Sequence, residues 1–149
     1  MKRATNIFDK IGTLIPGYKG YQERDSRREC DRQLKEKISS KLSDTEKTID
    51  SLIENTELSK LSEIEKIRKK INNLKDLIKY APYGASALFS DTSIKNDELE
   101  NIYQIDMDIL EYTENLQKTT SLNNFEEIKT DINSLESLIK KRNQYLKDL

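Results

Sequence analysis

The sequence predicts an all-α protein, an antiparallel up-down-up-down four-helix bundle with a short extra N-terminal helix, and three observations predict it. Hydrophobic residues make up 34% of the 149-residue chain and charged residues 36%, a balance that suits helices with one apolar stripe each. Four glycines and two prolines are too few for the many turns of a sheet protein of this length. Apolar residues recur at steps of three, four and seven through most of the chain. The length is that of one domain, so residues 1–149 are expected to form a single bundle, with 1–16 as the docking N-terminal helix.

Taken in order, residues 5–15 place Ile7, Phe8, Ile11, Leu14 and Ile15 on one helical face, and Pro16-Gly17 stop that helix. Lys2, Arg3 and Lys10 flank the face. Docking on the bundle is expected, and weak peripheral membrane contact through residues 5–15 is the alternative. From about Tyr21 to Asn55 no proline or glycine intervenes, and Cys30, Leu34, Ile38, Leu42, Ile49 and Leu52 recur in phase, which predicts a first long helix. Ser62 with Glu65 has capping-box spacing near the start of a second, in which Ile64, Ile71 and Ile78 interleave with Ile67 and Leu74 as far as Tyr80. The interval from Ala81 to Lys95, opened by Pro82-Tyr83-Gly84 and anchored by Leu88 and Phe89, reads as a long connection. Asp97 with Glu100 is expected to cap a third long helix carrying Leu99, Ile102, Tyr103, Ile109, Leu110 and Leu116. Asn124 with Glu127 is expected to cap a fourth, where Phe125, Ile132, Ile139 and Leu146 interleave with Ile128, Leu135 and Leu149.

Composition excludes much chemistry. The chain has no histidine, which removes the usual general base near neutral pH and the commonest metal ligand. Cys30 is the single cysteine, so no internal disulfide, Cys-x-x-Cys pair or thiolate zinc site can form, and its phase with Leu34 and Ile38 predicts a buried, inert thiol. No apolar run reaches the length of a signal peptide or a membrane span, and a cytoplasmic protein is expected. No cofactor is expected. A net charge of −1 argues against a protein that coats nucleic acid, so no specific nucleic-acid partner is expected either.

The residues that stand out collect where antiparallel packing would bring helix ends together. Tyr18, Tyr21, Arg24, Arg27 and Arg28 begin the first long helix, Tyr80 and Tyr83 follow the second, Tyr103 lies early in the third, and Arg142 and Tyr145 close the fourth. These ten form a candidate Tyr/Arg-rich binding pole. Arg27 falls nearly on the buried stripe, one heptad before Leu34, and is expected to face the acidic start of the third helix. Asp106 interrupts the stripe of that helix and is expected at its edge, bonded to a lysine or a tyrosine hydroxyl. Asp108, Glu111 and Glu114 read as a solvated face.

The segment Gly17-Tyr18-Lys19-Gly20-Tyr21 followed by Glu23-Arg24-Asp25-Ser26-Arg27-Arg28, with Tyr83-Gly84 and Leu88-Phe89 further on, resembles a family of small bacterial helical proteins with no established activity. Some members of that family are encoded near membrane-associated scaffold proteins of the stomatin and flotillin kind. The resemblance implies a bacterial, intracellular protein and carries over no catalytic or binding residue. The functional expectation is a non-catalytic protein-protein interaction or scaffold protein that acts through the Tyr/Arg pole, with another protein as partner and homo-oligomerisation open. The alternative is a small-ligand or anion-binding protein, conceivably enzymatic, that uses Arg24, Arg27 and Arg28 as a clamp.

Overall fold

The computed structural model describes residues 2–81 and 94–149, with side chains in the first helix from residue 7 onward. Every regular element among them is helical. Helix α1 spans Lys2–Leu14, a 3-10 turn spans Arg24–Ser26, and four longer helices follow: α2 at Arg27–Glu54, α3 at Leu58–Lys79, α4 at Asn96–Ser121 and α5 at Phe125–Asp148. None is long and apolar enough to cross a membrane. The connection holding Pro82, Tyr83, Gly84, Leu88 and Phe89 lies outside the described residues.

Three boundaries differ from the expected ones. The first long helix begins at Arg27, not Tyr21, because Gly20 takes a left-handed φ of 79° and the Tyr21 N–H donates to the Tyr103 hydroxyl at 2.6 Å instead of entering a helix. Ser62 caps nothing. Helix α3 starts one turn earlier, at Leu58, behind an extended Glu57 that makes no side-chain cap. At the start of α4 the acid that folds back is Glu98, whose carboxylate accepts the Lys95 N–H at 3.0 Å, so the expected Asp97/Glu100 cap is displaced by two residues. The fourth start is as expected: Asn124 Oδ1 accepts the Glu127 N–H at 3.2 Å, preceded by Asn123 at φ 59°.

Helix α2 packs on α3 and α4, α5 packs on α3 and α4, and α1 lies on α4. Cross-helix pairs set the directions. Lys75 and Arg68 of α3 meet Glu46 and Asp50 of α2, so rising numbers on one helix meet falling numbers on the other. Arg142 and Asp131 of α5 meet Asp106 and Asn115 of α4 in the same antiparallel sense. The heptad residues Ile38, Leu42, Ile64, Ile71, Ile132 and Leu135 are all buried, as their spacing predicts. Ile11 and Ile15 are buried too, and Ile7 and Phe8 pack against the core, while Leu14 of the same expected face stays exposed.

Candidate functional site

The site is built where the lead-in to α2 crosses α4. Gly20 makes that crossing possible, since a side chain there would overlap the Phe8 ring and the Tyr103 hydroxyl 2.6 Å away. Tyr21 is thereby driven inward until fully buried, its ring 5.4 Å from that of Tyr103, and Phe8 lies in turn 5.9 Å from Tyr103 and 5.5 Å from Tyr18, centroid to centroid.

Below these rings lies a buried polar network in which Arg142 Nη1 alone of the arginine's nitrogens has no partner among the described residues. The Tyr21 hydroxyl donates to Asp106 Oδ2 at 2.5 Å and accepts from Arg142 Nη2 at 3.0 Å. Arg142 Nε donates to Asp106 Oδ1 at 2.7 Å, and its Nη2 reaches Asp31 Oδ1, also at 2.7 Å. The Lys35 ammonium sits 2.8 Å from the other oxygen of Asp31 as an ion contact and donates to the Ala81 carbonyl at 3.2 Å, which ties the end of α3 to α2. Two carboxylates thus face two cations, and all four side chains are buried. Burial works against the Arg142 charge, but Asp106, Tyr21 and Asp31 outweigh it and hold the guanidinium well above its ordinary range. Burial pushes the Asp106 carboxyl up while Arg142 pulls it back down.

This arrangement corrects two expectations. Asp106 is not at the edge of its stripe but 0% exposed, with both a tyrosine hydroxyl and an arginine as partners. The guanidinium that meets the acids of α4 is Arg142, not Arg27. Arg27 is buried, yet its Nε donates to the Tyr21 carbonyl at 2.8 Å and its Nη1 has no partner among the described residues. Burial, then the neighbouring Arg24, lowers its pKa. Asp31 and Lys35 were missed by sequence reasoning. Their signal was present, since they stand at i and i+4, each directly after a buried stripe residue, Cys30 and Leu34.

The ten residues of the expected pole divide by direction. Tyr18, Tyr21, Arg27, Tyr103 and Arg142 point inward and are buried. Arg24, Arg28 and Tyr80 are exposed, the last at 70%, with the Lys79 ammonium 5.3 Å from the centre of its ring. Tyr145 is half-buried, accepting from Asn101 Nδ2 at 3.2 Å and donating to the Glu98 carbonyl at 3.4 Å. Tyr83 lies outside the described residues. Cys30 is buried as expected, and burial raises its thiol to about 12, so it is a thiol at neutral pH. Asp108 accepts from Gln104 at 2.9 Å and Glu114 pairs with Lys41 at 2.8 Å, so these acids do not converge on one point. No family model, curated protein or solved structure matches this chain.

Proposed function

We propose that this chain acts without catalysis, as a protein-protein interaction or scaffold protein whose partner binds the outward half of the Tyr/Arg pole. Helices α2 to α5 form a single up-down-up-down bundle in this reading, with α1 as a strap across α4 and with α3 and α4 at opposite corners.

The observation that carries the reading is the division of the pole. Asp31 and Asp106 are both paired with the buried Arg142, of which only Nη1 is left without a partner among the described residues, while Tyr80 stands out at the end of α3 beside Lys79. Exposed tyrosine with adjacent cations is what anchors protein interfaces. The raised Cys30 thiol adds support, because a nucleophile held protonated does no chemistry at neutral pH. The test is capture from the native cell with wild type and Tyr80→Ala. A protein retained by wild type and lost with Tyr80→Ala supports the reading; equal capture by both overturns it.

One observation favours a second reading, anion binding at Arg24, Arg27 and Arg28: Arg27 has a guanidinium as its charged neighbour and an unpartnered Nη1. Titration with inorganic phosphate, followed by calorimetry on wild type and Arg27→Gln, separates the two. Heat that disappears in Arg27→Gln supports the anion site, and no heat from wild type removes it.

A further inference from the structure

The charged residues are sorted by helix, and in α3 and α4 all of them but the buried Asp106 reach the surface. The segment LSKLSEIEKIRKKINNLKDLIK of α3 holds seven basic residues against three acidic ones, and NDELENIYQIDMDILEYTENLQKTTS of α4 holds seven acidic against one basic. The two surpluses nearly cancel in the formal net charge of −1. They do not cancel in space. Helix α3 packs on α2 and α5 while α4 packs on α1, α2 and α5, so the basic and acidic helices stand across the molecule from each other.

Pairing within the chain uses only part of each surplus. Arg68 and Lys75 reach Asp50 and Glu46 of α2 at 2.8 and 2.7 Å. Lys66, Lys69 and Lys70 are exposed, stand at i, i+3 and i+4 on one side of α3, and meet no carboxylate among the described residues. On α4, Glu111 is exposed with no cation in reach among the described residues, and Asp108 one turn before it has only Gln104. Like charges at this spacing repel along their own helix; Glu63 and Glu65 stand near the lysines at i−3 and i−4 without forming an ion pair with them among the described residues, and Glu111 has no cation at that spacing.

We propose that the lysine face of α3 in one copy docks along the acidic face of α4 in a second copy. The chain then self-associates head to tail. A second copy is the occupant because it carries both a basic and an acidic face, whereas a nucleic acid or an anionic membrane would satisfy α3 and leave α4 unrelieved. Tyr112, 41% exposed beside Glu111, supplies an aromatic contact within the acidic face. Because the two faces stand across the molecule from each other, one pair of copies cannot make both contacts at once, so the contact is heterologous and builds chains or a ring, not a closed two-fold dimer. The inference stands apart from the Tyr/Arg pole, at which neither face lies.

Sedimentation velocity on the full chain tests it, at about 10 mM salt, where charges act over about 30 Å, and at about 1 M, where they act over about 3 Å. The expected result is mass that grows with concentration at low salt and returns to monomer at high salt. The charge-reversed chains K66E/K69E/K70E and D108K/E111K are each expected to stay monomeric alone and to associate when mixed in equal amounts, with helix content checked by circular dichroism. Wild type that is monomeric at low salt overturns the proposal, as does association that survives high salt or that neither reversal weakens. Wild type that stays monomeric but binds DNA or anionic vesicles through α3 overturns it as well and gives the face to a polyanion. Tyr80→Ala leaves self-association unchanged, so failure of the pole and failure of these faces are read separately.

Discussion

The two ends of this helical assembly solve the same packing problem with different chemistry. Away from the pole, α2, α3 and α5 close on aliphatic residues such as Ile49, Ile64, Ile67, Ile128 and Leu135, each buried by a helix that knows nothing of its partners beyond their apolar faces. At the pole the volume is filled by Tyr21, Tyr103, Asp31, Asp106 and Arg142, which are buried only because each finds a particular atom on another element. The difference teaches where specificity resides. An aliphatic layer tolerates small shifts of register, whereas a buried charge that misses its partner is very costly, so the polar end holds the helices in one alignment.

The largest break in that comparison is Arg142→Ala. It leaves Asp31 and Asp106 buried with one shared cation gone, and loss of one partner from a buried charge network costs about 3–5 kcal/mol. Urea melts measure it, and a variant within about 1 kcal/mol of wild type would show that water, not Arg142, satisfies the two acids. At the aliphatic end, Ile71→Ala opens a cavity among residues that can partly collapse, with an expected loss of about 2–4 kcal/mol. If Ile71→Ala proves the costlier of the two, the polar end is not the tighter constraint. Tyr21→Phe keeps the ring and removes one hydroxyl that both donates to Asp106 and accepts from Arg142, so about 1–2 kcal/mol is expected. Equal stability of Tyr21→Phe and wild type in the same melts would count against the short bond to Asp106.

The same division explains what could be read in advance. The all-helical class, the burial of the heptad residues and the Asn124 cap follow from local spacing, and the structure agrees with each. Asp106 as an interruption of its stripe was legible, and so was a tyrosine hydroxyl as one kind of partner, but which tyrosine, and the arginine beside it, were not, because Arg142 and Tyr21 come from helix and lead-in segments far along the chain and periodicity carries no information on which polar residues meet. Arg27 shows the error this produces. Its phase marks it correctly as buried, yet among the described residues it meets none of the acids at the start of α4; the buried acid of that helix, Asp106, is paired with Arg142, and what Arg27 holds is the backbone of Tyr21. The start of α2 was misplaced for a related reason: Gly20 breaks the helix through its close approach to Phe8 and Tyr103, a tertiary contact that no local rule contains.

The smallest expected effect appears only in alkali, and it sharpens the contrast from the side of titration. Burial raises the Cys30 thiol from an ordinary 9.0 to about 12, and burial likewise raises Tyr103 from 10.0 to about 12. Tyr18 and Tyr21, packed in the same layer, are pushed up further, first by burial and then by the Asp106 charge. A group whose proton is held more tightly in the folded chain adds stability that is fully present below its unfolded pKa and is lost as pH rises through its folded one. For Cys30 that window runs from about pH 9 to about 12, with the tyrosines adding to the same slope from about pH 10. Stability from these groups is therefore flat at neutral pH and falls above about pH 9, because unfolding then releases protons that the folded pole retains. Urea midpoints taken at half-unit steps of pH measure the slope, and Cys30→Ala should make it shallower in the lower part of the window. A midpoint that holds constant to pH 11 in wild type would mean that the pole opens to solvent before these groups lose their protons, and the polar end would then be the looser of the two.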